Sequence, residues 1–325
     1  MVVKIGDWIS HRPANRPVYF SFKTSTAFVW LAQIKDICLN SPHGSCFAGP
    51  PARYYLVTGE AMEEKTYIHG VAPQEQDRLR LLNRLTNGPF LDFIHIRPAD
   101  NVLEIGSGLG IIANAVAHAY PSARVTGLEY AAEQIAGCEQ QLTNLTFVQG
   151  DAHQLPFDDA TLDVVYGRYI LEHVHDPVQV LREVYRVLKP GGRLYFQENT
   201  ISIMKLYPEC PQFDFIWKQF ITLQARIGGD GEIGIKLYSM LKSLGFARVQ
   251  CSFADEVHFP EKGTFVAWMD NIIGNVDSAV SKLLEFGLAD QEQIDGAIAE
   301  LNAFKRNEMA SVYFWWNRIS GEKPV

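Results

Sequence analysis

The stretch Val102-Leu103-Glu104-Ile105-Gly106-Ser107-Gly108-Leu109-Gly110 constrains this chain more than any other. Four residues of strand type run straight into glycines at three alternate positions, and a helix-like segment, Ile111 to Tyr120, follows. Glycine lets a strand turn sharply into a helix and lets backbone N–H groups approach a ligand with no Cβ in the way. Glu104 stands just upstream, where a phosphate-binding loop gains nothing from negative charge. The combination points to a nucleoside cofactor whose reactive end is cationic rather than phosphorylated.

The surrounding pattern is that of an α/β protein. Strands are expected at 101–105, 124–128, 145–149, 162–166 and 192–198, and helices at 110–119, 131–141 and 177–188. Alternation of this kind implies a parallel sheet covered on both faces. The helix at 177–188 is the best marked. Asp176 can cap it, Pro177 suits its first position, Val178, Leu181, Tyr185 and Leu188 line one face, and Pro190-Gly191-Gly192 ends it. Upstream, Pro73 with Leu79, Leu82 and Leu85 reads as a helix stopped by Gly88-Pro89, and a second helical piece spans Phe90 to Ile96. Downstream come the apolar stretch 201–230, a helix at 234–244 and a strand at 246–252. Helical spacing returns at Phe265, Trp268, Met269, Ile272 and Val276, and at Ile294, Ala297, Ile298, Leu301 and Phe304, before an aromatic-rich last strand, Ser311 to Ser320.

Composition removes several function classes. The 325 residues are 47% hydrophobic and 20% charged, enough for a sizeable core, with a net charge of −8. With no lysine/arginine-rich tract, a nucleic-acid groove is not expected. No apolar run approaches the ~20 residues that span a bilayer, so no membrane association is expected. The five cysteines are scattered and odd in number, which suits a reducing, cytoplasmic setting and argues against a disulfide framework or a zinc site. Residues 1–61 differ from the rest: short apolar pieces broken by prolines, with basic residues outnumbering acidic ones. A transit peptide, an irregular extension packed on the domain, and a true start at Met62 are the alternatives.

Further acidic residues follow the glycine turn. Glu129 closes the second strand, nineteen positions after Gly110, where a carboxylate can accept two hydrogen bonds from ribose hydroxyls. Asp151, in Gly150-Asp151-Ala152-His153-Gln154-Leu155-Pro156-Phe157, follows the third strand and can accept from an adenine amino group. Asp163 begins the fourth strand, which ends at Gly167-Arg168. Ligands of open α/β sheets bind outside the carboxyl ends of the strands, and these residues are read as lying there.

Together these motifs resemble the class I S-adenosylmethionine-dependent methyltransferases, with small-molecule enzymes of natural-product pathways the nearest likeness. The motifs are Glu104-x-Gly106-x-Gly108-x-Gly110, Glu129, Gly150-Asp151-Ala152-x-x-Leu155-Pro156-Phe157, and Leu171-Glu172-His173-Val174-x-Asp176-Pro177 running to Leu188-Lys189-Pro190-Gly191-Gly192. Tyr67-Ile68-His69-Gly70 is similar to the segment preceding the core in that group. The resemblance covers residues about 67 to 256 and extends to the final strand. It implies a Rossmann-like, doubly wound, seven-stranded sheet with the last strand reversed, plus helical lid insertions. It divides the chain into 62–97 (N-terminal helices), 98–200 (cofactor-binding core), 201–233 (acceptor lid) and 234–325 (the rest of the core, with a helical insertion at 262–306).

The resemblance also implies roles. Glu104, Gly106, Ser107 and Gly108 would border the methionine part of S-adenosylmethionine, Glu129 and Tyr130 the ribose, and Asp151 and Ala152 the adenine. Arg168 would pair with the cofactor carboxylate or orient an anionic acceptor. Tyr67 would lie over the cofactor. His69 is the first candidate general base and His173 the second. A nicotinamide cofactor fits less well, since its fingerprint sets the third glycine one position later, at Ile111. His173 and His175 form an H-x-H pair ahead of a capped helix, where backbone bonding explains them better than a metal. The expected activity is methyl transfer to the oxygen, nitrogen or carbon of a small aromatic or polycyclic acceptor in secondary metabolism. The alternative is a catalytically silent binder or regulator on the same fold. The helices at 264–306 complete the lid or form a homodimer face.

Overall fold

A computed structural model describes residues 73–138 and 142–325. Among the described residues eight strands form one sheet: β1 (Asn101–Ile105), β2 (Arg124–Glu129), β3 (Leu145–Gln149), β4 (Leu162–Arg168), β5 (Leu188–Glu198), β6 (Lys205–Tyr207), β7 (Ala247–His258) and β8 (Ser311–Glu322). They lie in the order β3-β2-β1-β4-β5-β8-β6, and β7 pairs with the other edge of β8. β1 to β5 are parallel, whereas β8 runs antiparallel to β5, β6 and β7. This is the Rossmann-like sheet with a reversed last strand, extended by one strand beyond the expected seven. The addition is the three-residue β6, which prolongs the edge of β5 along the start of β8.

Helices α1 (Pro73–Phe93), α2 (Ile111–Ala119) and α3 (Ala132–Ala136) precede β4, and α4 (Pro177–Val187) and α6 (Leu237–Ser243) pack on the opposite face of the sheet. The strands facing both layers are buried almost throughout; Val164, Val165 and Tyr166 have no exposed surface. Each such side chain contributes roughly 1.5–3 kcal/mol. A third layer, α5 (Pro211–Arg226), α7 (Phe265–Glu285) and α8 (Gln291–Phe304), buries its apolar stripes against the first halves of β8 and β6. The stripes on α7 and α8 are those read from the sequence. A capping box sets the start of α8: the Asp290 side chain accepts from Gln293 N at 2.8 Å, and Asp290 N donates to Gln293 Oε1 at 3.0 Å.

Several expected boundaries move. Pro89 lies inside α1, so one helix replaces the two expected pieces. The missing N–H costs about 3 kcal/mol, and burying Phe90 (0% exposed) and Ile94 (2%) outweighs it. The expected helix 131–141 is described only as Ala132–Ala136. In α4 the buried face is Val180, Leu181, Val184 and Val187, rotated from the predicted one, while the Asp176 cap to Gln179 N (2.9 Å) is as read. Lys189-Pro190-Gly191-Gly192 does not lie between helix and strand but forms a bulge within β5. Leu162 pairs with Leu188 and Val164 with Arg193, so the intervening residues swell out. Lys189 is held there by Asp163 (2.7 Å) and Gly191 N by Lys323 O (2.8 Å). β7 continues to His258, six residues past the expected end at 252.

Among the described residues no helix is long and apolar enough to cross a membrane. Cys138, Cys210 and Cys251 are free thiols.

Candidate functional site

The carboxyl ends of β1, β2, β3 and β4 converge on the glycine turn. Gly106 has φ +67° and Gly110 φ +70°, a region that side chains rarely enter. A Cβ on Gly106 would lie 2.4 Å from Ile170 Cδ1, and one on Gly110 2.4 Å from Phe147 Cζ. Glycine is therefore required at both, by conformation and by space. The turn is stitched down by Ser107 N to Leu128 O (3.0 Å) and Gly110 N to Ser107 O (2.8 Å), and Gly110 then opens α2.

Glu129 lies where the sequence predicts. Its Oε2 accepts from Gly108 N at 2.9 Å and its Oε1 from Ala131 N at 3.0 Å. Each carboxylate oxygen keeps acceptor capacity beyond one such bond, so the carboxylate can hold the turn and receive hydroxyls as well. Tyr130 follows directly, its carbonyl accepting from Gln149 Nε2 (3.1 Å). Gly150 N donates to Glu129 O (3.0 Å), bringing Asp151 beside it. Asp151 Oδ1 accepts from His153 N (2.9 Å) and faces His153 Nδ1 (2.7 Å), while Ala152 is buried beneath. Asp163 is a correction: it pairs with Lys189 and accepts from Asn101 N at 2.9 Å, at the start of β1 and β4, the end remote from the turn.

Glu104 is 5% exposed, and Tyr166 Oη donates to its Oε2 at 3.3 Å. Burial pushes its carboxyl up to about 8, against the opposing pull of Arg168, Tyr166 and a backbone N–H. An acid of this kind is neutral near pH 7 until a cation comes close. Arg168 reaches α1, donating to Thr86 Oγ1 (3.1 Å), Asn83 Oδ1 (2.5 Å) and Asn87 Oδ1 (2.7 Å), with its guanidinium over the Phe90 and Tyr169 rings.

His173 ends a 3-10 turn, Leu171–His173, beyond β4, with Nε2 3.7 Å from Glu172 Oε1. That turn is anchored by a residue the sequence reading missed. Glu198, 0% exposed at the end of β5, accepts from the backbone N–H groups of Ile170 (3.2 Å), Leu171 (3.0 Å) and Glu172 (3.4 Å). Burial first, and neighbouring Glu172 second, push its carboxyl up to about 8. Its signal was present: an acid closing a strand with the apolar run Leu194-Tyr195-Phe196, at the carboxyl end of the sheet. Tyr67 and His69 lie outside the described residues. His175 stacks on His153, ring centroids 4.1 Å apart. Among the described residues no group of three or more His, Cys, Asp or Glu side chains is placed to hold a metal ion.

A nucleoside cofactor with a cationic end fits these residues. Where Gly106 and Gly110 pack against Ile170 and Phe147, a Cβ on Gly108 would project into open space with only Gln134 Oε1 nearby, at 3.6 Å, and two acidic side chains border the turn. Ser107 Oγ and Gln134 Oε1, which lies near Gly108, are buried without hydrogen-bond partners among the described residues.

Comparison with known proteins agrees. Residues 103–196 match the family described as a methyltransferase domain. A ubiquinone/menaquinone biosynthesis C-methyltransferase, UbiE, of Desulfotalea psychrophila is 35% identical over 119 residues, 36% of this chain and 48% of that protein. An O-methyltransferase of Pyrenophora dematioidea is 29% identical over 54% of this chain and 62% of its own length. The chain spans about half the length of the curated relatives it matches. A solved structure from Anabaena variabilis, described as a methyltransferase of an antibiotic biosynthesis pathway, aligns with a TM-score of 0.53 at 15% identity, covering 73% of this chain and 96% of that one, a likeness of fold.

Proposed function

We propose that this chain, which carries a class I S-adenosylmethionine-dependent methyltransferase domain, moves the cofactor's methyl group to a small aromatic or polycyclic acceptor in cytoplasmic secondary metabolism. The observation that carries this reading is the convergence of Glu104, the glycine turn, Glu129 and Asp151 at the carboxyl ends of neighbouring strands. S-adenosylmethionine supplies a methyl already activated by a positive sulfur, so the protein's work is alignment, desolvation and, where the acceptor is acidic, proton removal. Holding reactants in line can supply roughly 7–11 kcal/mol of the barrier.

Each element of the site has a part in that work. The Gly106–Gly110 turn and Ser107 would border the methionine end, Glu129 and Tyr130 the ribose, and Asp151 and Ala152 the adenine. Glu104 would gain its negative charge beside the cofactor's cationic groups. Glu198 anchors the turn that carries Ile170 against Gly106 and bears His173. His173 is a candidate general base, with Glu172 to steady its ring, and such a base would add about 10²–10⁴-fold. His69 remains the other candidate and Tyr67 a cover for the cofactor. The C- and O-methyltransferases among the relatives support carbon or oxygen as the acceptor atom. Phe213 and Phe220 on α5 are buried in the helical layer, so of its aromatic groups the partly buried Trp217 would be the one to meet a flat acceptor.

Calorimetric titration with S-adenosylmethionine and with NAD tests the cofactor, and turnover on phenols, indoles and quinones tests the reaction. Micromolar binding of the first ligand alone, lost in Glu129→Ala and Asp151→Ala, together with methylated product, is expected. Binding without turnover would favour the silent regulator. Unaltered affinity in both acidic variants would remove the proposed site.

A further inference from the structure

The face of the sheet covered by α1 and α7 carries a rung of polar side chains of which only Arg168, expected to pair with the cofactor carboxylate or orient an anionic acceptor, enters the methyl-transfer reading. Arg168 on β4 pairs in register with Gln197 on β5, and Gln197 with Arg318 on β8, so the three project from the same face. Arg318 Nε donates to Gln197 Oε1 at 2.8 Å, and Gln197 Nε2 donates to Tyr169 Oη at 2.7 Å. Two guanidinium groups thus flank one neutral amide. The hydrogen-bond partners of Arg168 are also neutral: Thr86, Asn83 and Asn87. Among the described residues neither arginine forms an ion pair with a carboxylate. Glu256 acts on Arg318 through space, but its Oε2 is engaged by His258 Nε2 at 3.1 Å, and His258 Nδ1 is engaged by Thr264 Oγ1 at 2.9 Å.

Beside this rung stand two indoles. Trp316 is two residues from Arg318 on the same strand face, its ring 4.3 Å from Tyr169 and 6.4 Å from Trp268. Trp316 is 6% exposed and Trp268 2%. Trp316 Nε1, Trp268 Nε1 and Arg318 Nη2 are all buried, and none has a hydrogen-bond partner among the described residues. A buried donor left unpaired costs about 1–3 kcal/mol, and three on neighbouring side chains make an unusual concentration. The chemistry is one-sided: indole N–H and guanidinium donate and cannot accept. What completes such a set is a group that only accepts and carries negative charge. A carboxylate does both, and its planar pair of oxygens matches an arginine.

The placement suits the acceptor rather than the cofactor. From β1, which delivers the glycine turn, the order is β4, β5, β8. Three strand spacings put the Arg318 rung roughly 14 Å from the turn, with aromatic rings between and around. We propose that Arg318, with the indole N–H groups of Trp316 and Trp268, receives the carboxylate of an aromatic acid, and that the methyl acceptor belongs to this class. The proposal rests on the methyl-transfer reading and specifies its substrate.

The test uses the full chain saturated with S-adenosylhomocysteine. Benzoate, 2-naphthoate and anthraquinone-2-carboxylate are titrated beside their methyl esters, followed by calorimetry and indole fluorescence. At least one acid is expected to bind tenfold or more tighter than its ester. Trp316→Phe keeps the ring and removes the donor; Arg318→Gln removes the charge. Both should reduce the preference for the acid while retaining affinity for S-adenosylhomocysteine. Should Arg318→Gln fail to fold, Trp316→Phe alone decides. Acids binding no better than esters across the panel, or a preference that survives in the folded variants, would overturn the inference and leave the methyl-transfer reading standing. Absence of S-adenosylhomocysteine binding in the parent protein would remove both.

Discussion

Glu104→Gln separates a structural acid from a cofactor-responsive one. The Glu104 carboxyl is pushed up to about 8 by burial, so about one molecule in a hundred carries it ionised at pH 6 and about half at pH 8. If the cation of S-adenosylmethionine binds against the ionised form, the dissociation constant should fall about 50-fold from pH 6 to pH 8 and level off above. Near pH 7, binding should release close to one proton, measurable by calorimetry in buffers of different ionisation enthalpy. Glu104→Gln preserves shape and the acceptor for Tyr166 but removes the titration, so its affinity should be weaker at pH 8 and independent of pH. Stability moves oppositely. A carboxyl raised in the folded state costs nothing below pH 4.5, where both states are protonated. The cost grows as pH rises toward 8, because only the unfolded chain ionises freely. The variant should therefore gain stability on the order of a few kcal/mol at pH 8–9 and little at pH 4. A wild-type dissociation constant flat from pH 6 to 9, with no proton release, would refute the reasoning.

Other expectations follow from single contacts. Gly106→Ala places a methyl 2.4 Å from Ile170 Cδ1 at φ +67°; cofactor affinity should drop tenfold or more, and Ile170→Val should restore part of it, by titration. Glu198→Ala removes the side chain that accepts from the backbone N–H groups of Ile170, Leu171 and Glu172. A loss of about 1–3 kcal/mol and faster amide exchange at 170–173 are expected, and unchanged exchange would count against an anchoring role. Tyr166→Phe deletes the O–H that reaches Glu104 and should shift the pH profile of cofactor binding further upward. Asp290→Ala removes a helix cap far from the site; about 1 kcal/mol of stability should go, with cofactor affinity untouched in the same preparation.

The parts legible in the sequence were those set by local chemistry. The alternating strands and helices, the Asp176 cap, the glycine turn with Glu129 and Asp151, and the stripes of α7 and α8 follow from periodicity and from backbone needs that a few neighbouring residues express. What escaped depends on tertiary contact. Pro89 reads as a stop because its lost hydrogen bond is local, whereas the burial of Phe90 that overrides it is not. Lys189 to Gly192 reads as a loop because its pairing with Lys323 lies across the whole second half of the chain. Arg318 became visible only with β8 in register. In hindsight, a cation in phase with Val312, Phe314 and Trp316 on a buried strand face was the clue.

β8 belongs to two structures at once. Its second half, Asn317 to Glu322, pairs with β5 in the cofactor-binding sheet, and its first half, Ser311 to Tyr313, pairs with β6 under the helical layer. One uninterrupted strand therefore carries the coordinate frame of the parallel sheet into the helical layer. Helices α7 and α8 can drift in sequence and reshape the helical layer while that frame is kept. A one-residue insertion or deletion between Val312 and Trp316 is different in kind. Side chains alternate across a strand, so it would turn one half of β8 over relative to the other. Either Phe314 and Trp316 would leave the helical layer, or Arg318 would leave Gln197. Sequence variation among relatives of this architecture should accordingly collect in the helices and avoid length changes in the strand beneath them.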